Sequence, residues 1–267
     1  MAITTLDGAL AGMQPPREFY KILTGTMVAG RPHSLFYLAG IPCLGAAPTP
    51  GIGGEVLTTL TGQIPFTNPS SGNTYLARFL GQATIAGTLL LCDRLWQNSG
   101  IDITSNTEQT FTSSAQIPAR DQDGTNAGVG VFAGVEVSTV TGAGTPTLTL
   151  KYTDQSGNQD ATATQIITTI GSSIAGTFYP IGLASGDTGI QKAQSLTLSA
   201  TWTSGTIHVV LYRVLARLDL QAQIPNAIDL LTGAFARMYD NTVPFLIFIP
   251  NTTTTSRVTG QCIWSQG

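Results

Sequence analysis

The sequence predicts an all-β protein: a two-sheet β-sandwich of jelly-roll type, with an extended N-terminal arm and one short helix in its C-terminal region. Three observations lead there. Only 10% of the 267 residues are charged, against roughly one quarter in an ordinary soluble domain, so threonine, serine, glycine, asparagine and glutamine must supply the surface polarity. Threonine is β-branched and fits strands. From Asn73 onward, short alternating apolar runs are separated by turn residues, the spacing of a sandwich or barrel.

The elements follow in order. Thr5 or Asp7 supplies a cap for a short helix over Thr4–Gly12. Residues 1–65 are broken by proline and glycine every few positions, as in "MQPPREF" and "RPHSLFYLAGIPCLGAAPTPGIGG". Yet Phe19, Tyr20, Ile22, Leu35, Phe36 and Tyr37 are too apolar for a solvated linker. This stretch is expected to be an arm that lies on a neighbour, with residues 66–267 forming the sandwich. "TYLARFLGQA" and "GTLLLCDRLW" read as two apolar strands, and "GVGVFAGVEVS" alternates from Val129 to Val137. "TPTLTLKYT" places Leu148, Leu150 and Tyr152 on one side, and "DQSGN" turns the chain into "DATATQII". "SLTLSATWTSGTIHVVLYRVLARL" reads as a β-hairpin carrying His208. "NAIDLLTGAFARMY" is the helix candidate, with Ala227, Leu230, Leu231 and Ala234 at helical spacing behind an Asn226 cap. "VPFLIFIP" and "SRVTGQCIW" close the chain as strands.

Composition also excludes functions. The net charge is -3 and the basic residues are scattered singly, so no stripe exists for a phosphate backbone and direct nucleic-acid binding is not expected. No apolar run reaches membrane-spanning length and the start lacks a secretory pattern, so synthesis in a cytoplasm is expected. Cys43, Cys92 and Cys262 are odd in number and far apart, which argues for reduced, mostly buried thiols.

Chemistry-bearing residues are few. His208 has no acidic residue at i±2 to orient it and reads as a wall residue; His33, behind a proline in the arm, reads as an interface residue. No G-x-S-x-G elbow is present, and the G-x-G stretches open no helix. "ARDQDGTNAG" sets Asp121, Asp123 and Asn126 around Gly124, the oxygen-rich bend that a Ca²⁺ loop uses, although a plain surface turn explains the same residues. Glu136, inside a strand, lacks an evident carboxylate partner for glycoside hydrolysis.

The segments "GNTYLARFLGQATIAGTLLLCDRLWQNSGI", "AGTFYPIGLASGDTGIQKAQSLTLSATWTSGTIHVVLYRVLARL" and "DNTVPFLIFIPNTTTT" resemble those of a family of proteins from tailed bacteriophages and prophages, and the likeness runs through nearly the whole chain. The resemblance implies a non-enzymatic virion structural protein, and most nearly a capsid decoration, or cement, protein. Such a protein is expected to be a homotrimer on the capsid exterior, bound to the major capsid protein, made in the host bacterial cytoplasm and free of cofactors. Phe19, Tyr20, His33, Phe36 and Tyr37 would then be the arm residues that bury against the capsid or a neighbouring copy. A tail fibre, baseplate or receptor-binding component is the alternative, and a glycan-active enzyme ranks last.

Overall fold

The computed structural model describes residues 3–233 and 236–267. In chain order the elements are α1 (Leu6–Ala11), β1 (Arg17–Leu23), β2 (His33–Ser34), β3 (Gly40–Ile41), β4 (Glu55–Val56), β5 (Thr74–Ala83), β6 (Gly87–Gln97), β7 (Gln109–Thr110), β8 (Val131–Thr139), β9 (Leu148–Asp154), β10 (Ala161–Thr164), β11 (Phe178–Pro180), β12 (Ile190–Leu198), β13 (Thr206–Leu220), β14 (Asn226–Asp229), β15 (Arg237–Met238), β16 (Pro244–Pro250) and β17 (Ser256–Gln266). The expected all-β sandwich is present, with strand over 44% of the chain and helix over 2%. Thr5 caps α1, its side chain accepting from the Gly8 amide.

One layer is a seven-stranded sheet in the order β11-β8-β13-β6-β16-β2, with β4 also on β6. Two sheets lie side by side against it. The first has four strands, β10-β9-β12-β7; the second has six, β14-β5-β17-β1-β3 with β15 on β5. The long strand β13 runs under both. Because side chains alternate along a strand, Ile207, Val209 and Leu211 meet Leu148, Leu150, Leu196 and Leu198 of the four-stranded sheet. Further along, Leu218 and Leu220 meet Phe19, Phe79, Val258 and Trp264 of the six-stranded sheet. A register shift between Val214 and Ala216 moves Ala216 into that second core, so it does not share a face with Val210 and Tyr212. On the opposite face of the seven-stranded sheet, Cys92, Val210, Tyr212, Phe178 and Phe245 pack beneath Phe36.

Three expectations are corrected. The hairpin through His208 does not form: β12 pairs with β9 and β7, whereas β13 pairs with β6 and β8. Leu196, Leu198, Trp202 and Ile207 instead face one another across the core. The helix over 226–239 is replaced by β14, which pairs with β5, followed by a turn in which Asp229 accepts from the Leu231 and Thr232 amides. Pairing supplies partners for the β5 backbone that a helix would leave bare; Ala234 lies outside the described residues. Residues 1–65 do not stand apart as an arm. β1 sits between β17 and β3, β2 lies against β16, and Phe19, Leu23, Met27, Leu35 and Ile64 complete the second core.

Candidate functional site

Asp93 and Arg94 are adjacent charges in the otherwise apolar β6, so alternation sends them to opposite faces. Arg94 points to the Phe36 face, where its Nη2 lies 2.7 Å from Glu136 Oε2 with both side chains fully buried. The Tyr37 hydroxyl donates to the same oxygen at 3.1 Å, and Arg94 Nε donates to Gln97 Oε1 at 2.8 Å. The guanidinium lies 4.9 Å from the Phe36 ring centre. Burial works against the charge on Arg94, but Glu136 and Tyr37 overcome it and raise its pKa. Burial, and then the Glu136 charge, push the Tyr37 phenol well above its usual value.

His208 stands directly opposite Glu136 in the β13–β8 register and is buried. Its Nδ1–H donates to the Asn98 carbonyl at 2.9 Å, which leaves Nε2 to accept from the Ser138 hydroxyl at 2.7 Å. Burial lowers its pKa against the opposing pull of Glu136. Both ring nitrogens are therefore engaged in a neutral ring without solvent access, the wall role expected of it. The partner that orients it comes from a facing strand, which residue spacing along its own strand did not reveal.

Asp93 faces the other way, into the seam between the two cores. Arg120 holds it with both Nε and Nη2, at 3.2 and 3.3 Å, and the Val243 amide donates to Oδ1 at 2.9 Å. Arg120 also donates to the carbonyls of Leu57, Asn241 and Arg94, so one buried ion pair ties four chain segments together. Arg213, the register partner of Asp93, reaches it at 4.0 Å and stacks on Tyr239 at 5.1 Å.

The oxygen-rich bend is a turn built on one carboxylate. Asp121 is buried and accepts from the Asp123, Thr125 and Gly128 amides and the Thr125 hydroxyl. Those donors occupy the oxygens that a cation would need, while Asp123 and Asn126 point outward and are exposed. Gly124 takes φ +78°, and a Cβ there would strike the Tyr239 ring. Among the described residues no group of three or more His, Cys, Asp or Glu side chains is placed to hold a metal ion. Of the two readings of this bend, the structure shows the surface turn, an Asx turn built on the Asp121 carboxylate.

The five arm residues divide. Phe19 and Phe36 are core residues, and His33 is buried with neither ring nitrogen partnered. Burial, then the neighbouring Arg31, pull its pKa down to about 4. Tyr37 is committed to Glu136, and Tyr20 alone of the five is exposed. The expectation that all five meet a partner is corrected accordingly: four are spent within this chain. Around Tyr20 lies an apolar strip that single-residue reading missed, formed with Ile22 and Ile41.

No family model matches the chain, and no curated protein does. Among solved structures, the VP2 subviral particle of infectious bursal disease virus aligns at 10% identity over 96% of this chain and 82% of that one, with a TM-score of 0.21. The structure of the Gt strain of that virus aligns at 11% identity over 95% and 82%, with a TM-score of 0.17. At such scores the likeness carries no argument.

Proposed function

We propose that the chain is a structural, non-catalytic component of a virion, and specifically a decoration protein that binds the major capsid protein lattice as a homotrimer on the exterior of a tailed-phage head. One observation carries the structural half of this reading. The ionisable side chains that could do chemistry are buried and close on one another, Arg94 with Glu136 on the Phe36 face of the seven-stranded sheet and Arg120 with Asp93 between the two cores, and both histidines are buried. The outer face of the six-stranded sheet exposes an apolar strip at Tyr20, Ile22 and Ile41, the kind of surface that marks contact with another protein. The virion half rests on the resemblance of residues 72–101, 175–218 and 240–255 to tailed-phage proteins.

The test is the copy number and position of the chain in purified particles, by cryo-electron microscopy with quantitative gels. High copy number on the capsid exterior supports decoration. A few copies at the tail replace it with a receptor-binding or baseplate role, and absence from the particle overturns the virion reading.

A further inference from the structure

The outer face of the six-stranded sheet carries an unexplained pattern. Along β1, Phe19, Lys21 and Leu23 turn inward and are buried, while Glu18, Tyr20 and Ile22 turn outward and are exposed. Register extends that outward row across the sheet. Tyr20 lies between Ile41 of β3 and Thr259 of β17, Ile22 lies beside Arg257, and Glu18 lies beside Gln261, which neighbours Leu80 of β5. The buried Lys21 fixes the strip's margin, since its ammonium donates to the carbonyls of Leu38, Pro42 and Cys43 and so pins the β3 loop beside β1. Tyr20, Ile22 and Ile41 are 37%, 42% and 57% exposed. A shallow hollow opens between Tyr20, Ile41, Leu80 and Gly260.

Charge decides what fits there. Glu18 sits at one end of the outward row and Arg257 at the other, about 13 Å apart for a separation of four strand positions. Both are exposed, and neither side chain makes an ion pair among the described residues. A surface with an apolar middle, an acid at one end and a base at the other is complementary to itself when turned around.

We propose that this face is a two-fold contact with a second copy of the chain. An axis lying in the contact plane and crossing the strands at Tyr20 reverses the strand direction. Each Glu18 then falls over the Ile22–Arg257 end of the other copy, and the two Tyr20 rings meet in the middle. Arg257 is one strand spacing from Ile22, roughly 4.8 Å, a lateral offset that an arginine side chain spans. Such a contact is isologous, with each residue pair occurring twice; the apolar strip supplies its centre and the charges set its register. In a trimeric shell component it would join one trimer to the next. The contact does not depend on the virion reading, because it is measured on the isolated chain rather than on particles.

Sedimentation velocity of the full chain over a wide concentration range tests it. A concentration-dependent dimer is expected. Glu18→Arg and Arg257→Glu should each weaken the dimer about tenfold or more, because like charges then face each other. The double variant should recover most of the loss, and Ile41→Asp should abolish the dimer while leaving the circular dichroism spectrum unchanged. A chain that stays monomeric at every concentration overturns the proposal. So does an association indifferent to the single reversals, or one that the double reversal fails to restore.

Discussion

Buried ionisable side chains differ in what their surroundings cost them. His33 has neither ring nitrogen partnered, and its pKa falls from 6.5 to about 4 because burial and Arg31 disfavour the imidazolium. Above pH 6.5 the ring is neutral in both folded and unfolded chains and contributes no pH dependence. Between pH 6.5 and 4 the unfolded chain binds a proton that the folded chain refuses, so stability falls as the solution is acidified, by about 3 kcal/mol once the window is crossed. Urea unfolding from pH 7 to 4 should show this extra slope in the wild type and lose it in His33→Leu; parallel curves would refute the assignment. The Arg94–Glu136 pair behaves differently, since its two charges offset each other. Glu136→Gln strands a buried guanidinium and should cost about 3–5 kcal/mol, whereas replacing the pair by Arg94→Met with Glu136→Leu should recover most of that loss. Denaturation midpoints of the wild type and the two variants check it. Among the thiols, Cys92 and Cys262 are buried with pKa values pushed up by burial, and Cys43 is exposed. One thiol should therefore react with Ellman's reagent in the native protein and three in denaturant.

Elements with a clean period of two were legible in the sequence. Leu148, Leu150 and Tyr152 were assigned to one face and are fully buried together, and "VPFLIFIP" is β16 over its first proline to its last. Pairing was not legible, because it depends on which strands meet across the core. Leu196 and His208 sit close in sequence with a turn between them, yet their strands belong to opposite layers. The same limit hid the candidate site: Glu136 and His208 are 72 positions apart and meet only through the β8–β13 register. The one available signal was Asp93–Arg94, two charges inside an apolar strand that had to find buried partners. The N-terminal stretch misled for another reason. Prolines and glycines cut it into pieces as short as two residues, which read as an extended arm, yet those pieces complete a sheet edge and a core. Deleting residues 2–40 should therefore leave no folded sandwich, and Phe19→Ala alone should cost about 3–5 kcal/mol. A deletion variant with a native-like thermal transition would contradict this placement.

At the scale of the whole molecule, the ion pairs Arg94–Glu136 and Arg120–Asp93 are buried, while the outer face of the six-stranded sheet carries the exposed Tyr20, Ile22 and Ile41. The polar seam at Asp93, Arg120 and Arg213 separates two apolar cores, and they share the same supporting layer. That layer depends on β13, whose 15 residues lie beneath both cores. Neither half can melt without pulling the central strand from the other, so the two cores should unfold as one cooperative unit. Calorimetry should then show a single peak, with calorimetric and van't Hoff enthalpies in agreement. The amides of β13 should also be the last to exchange with deuterium.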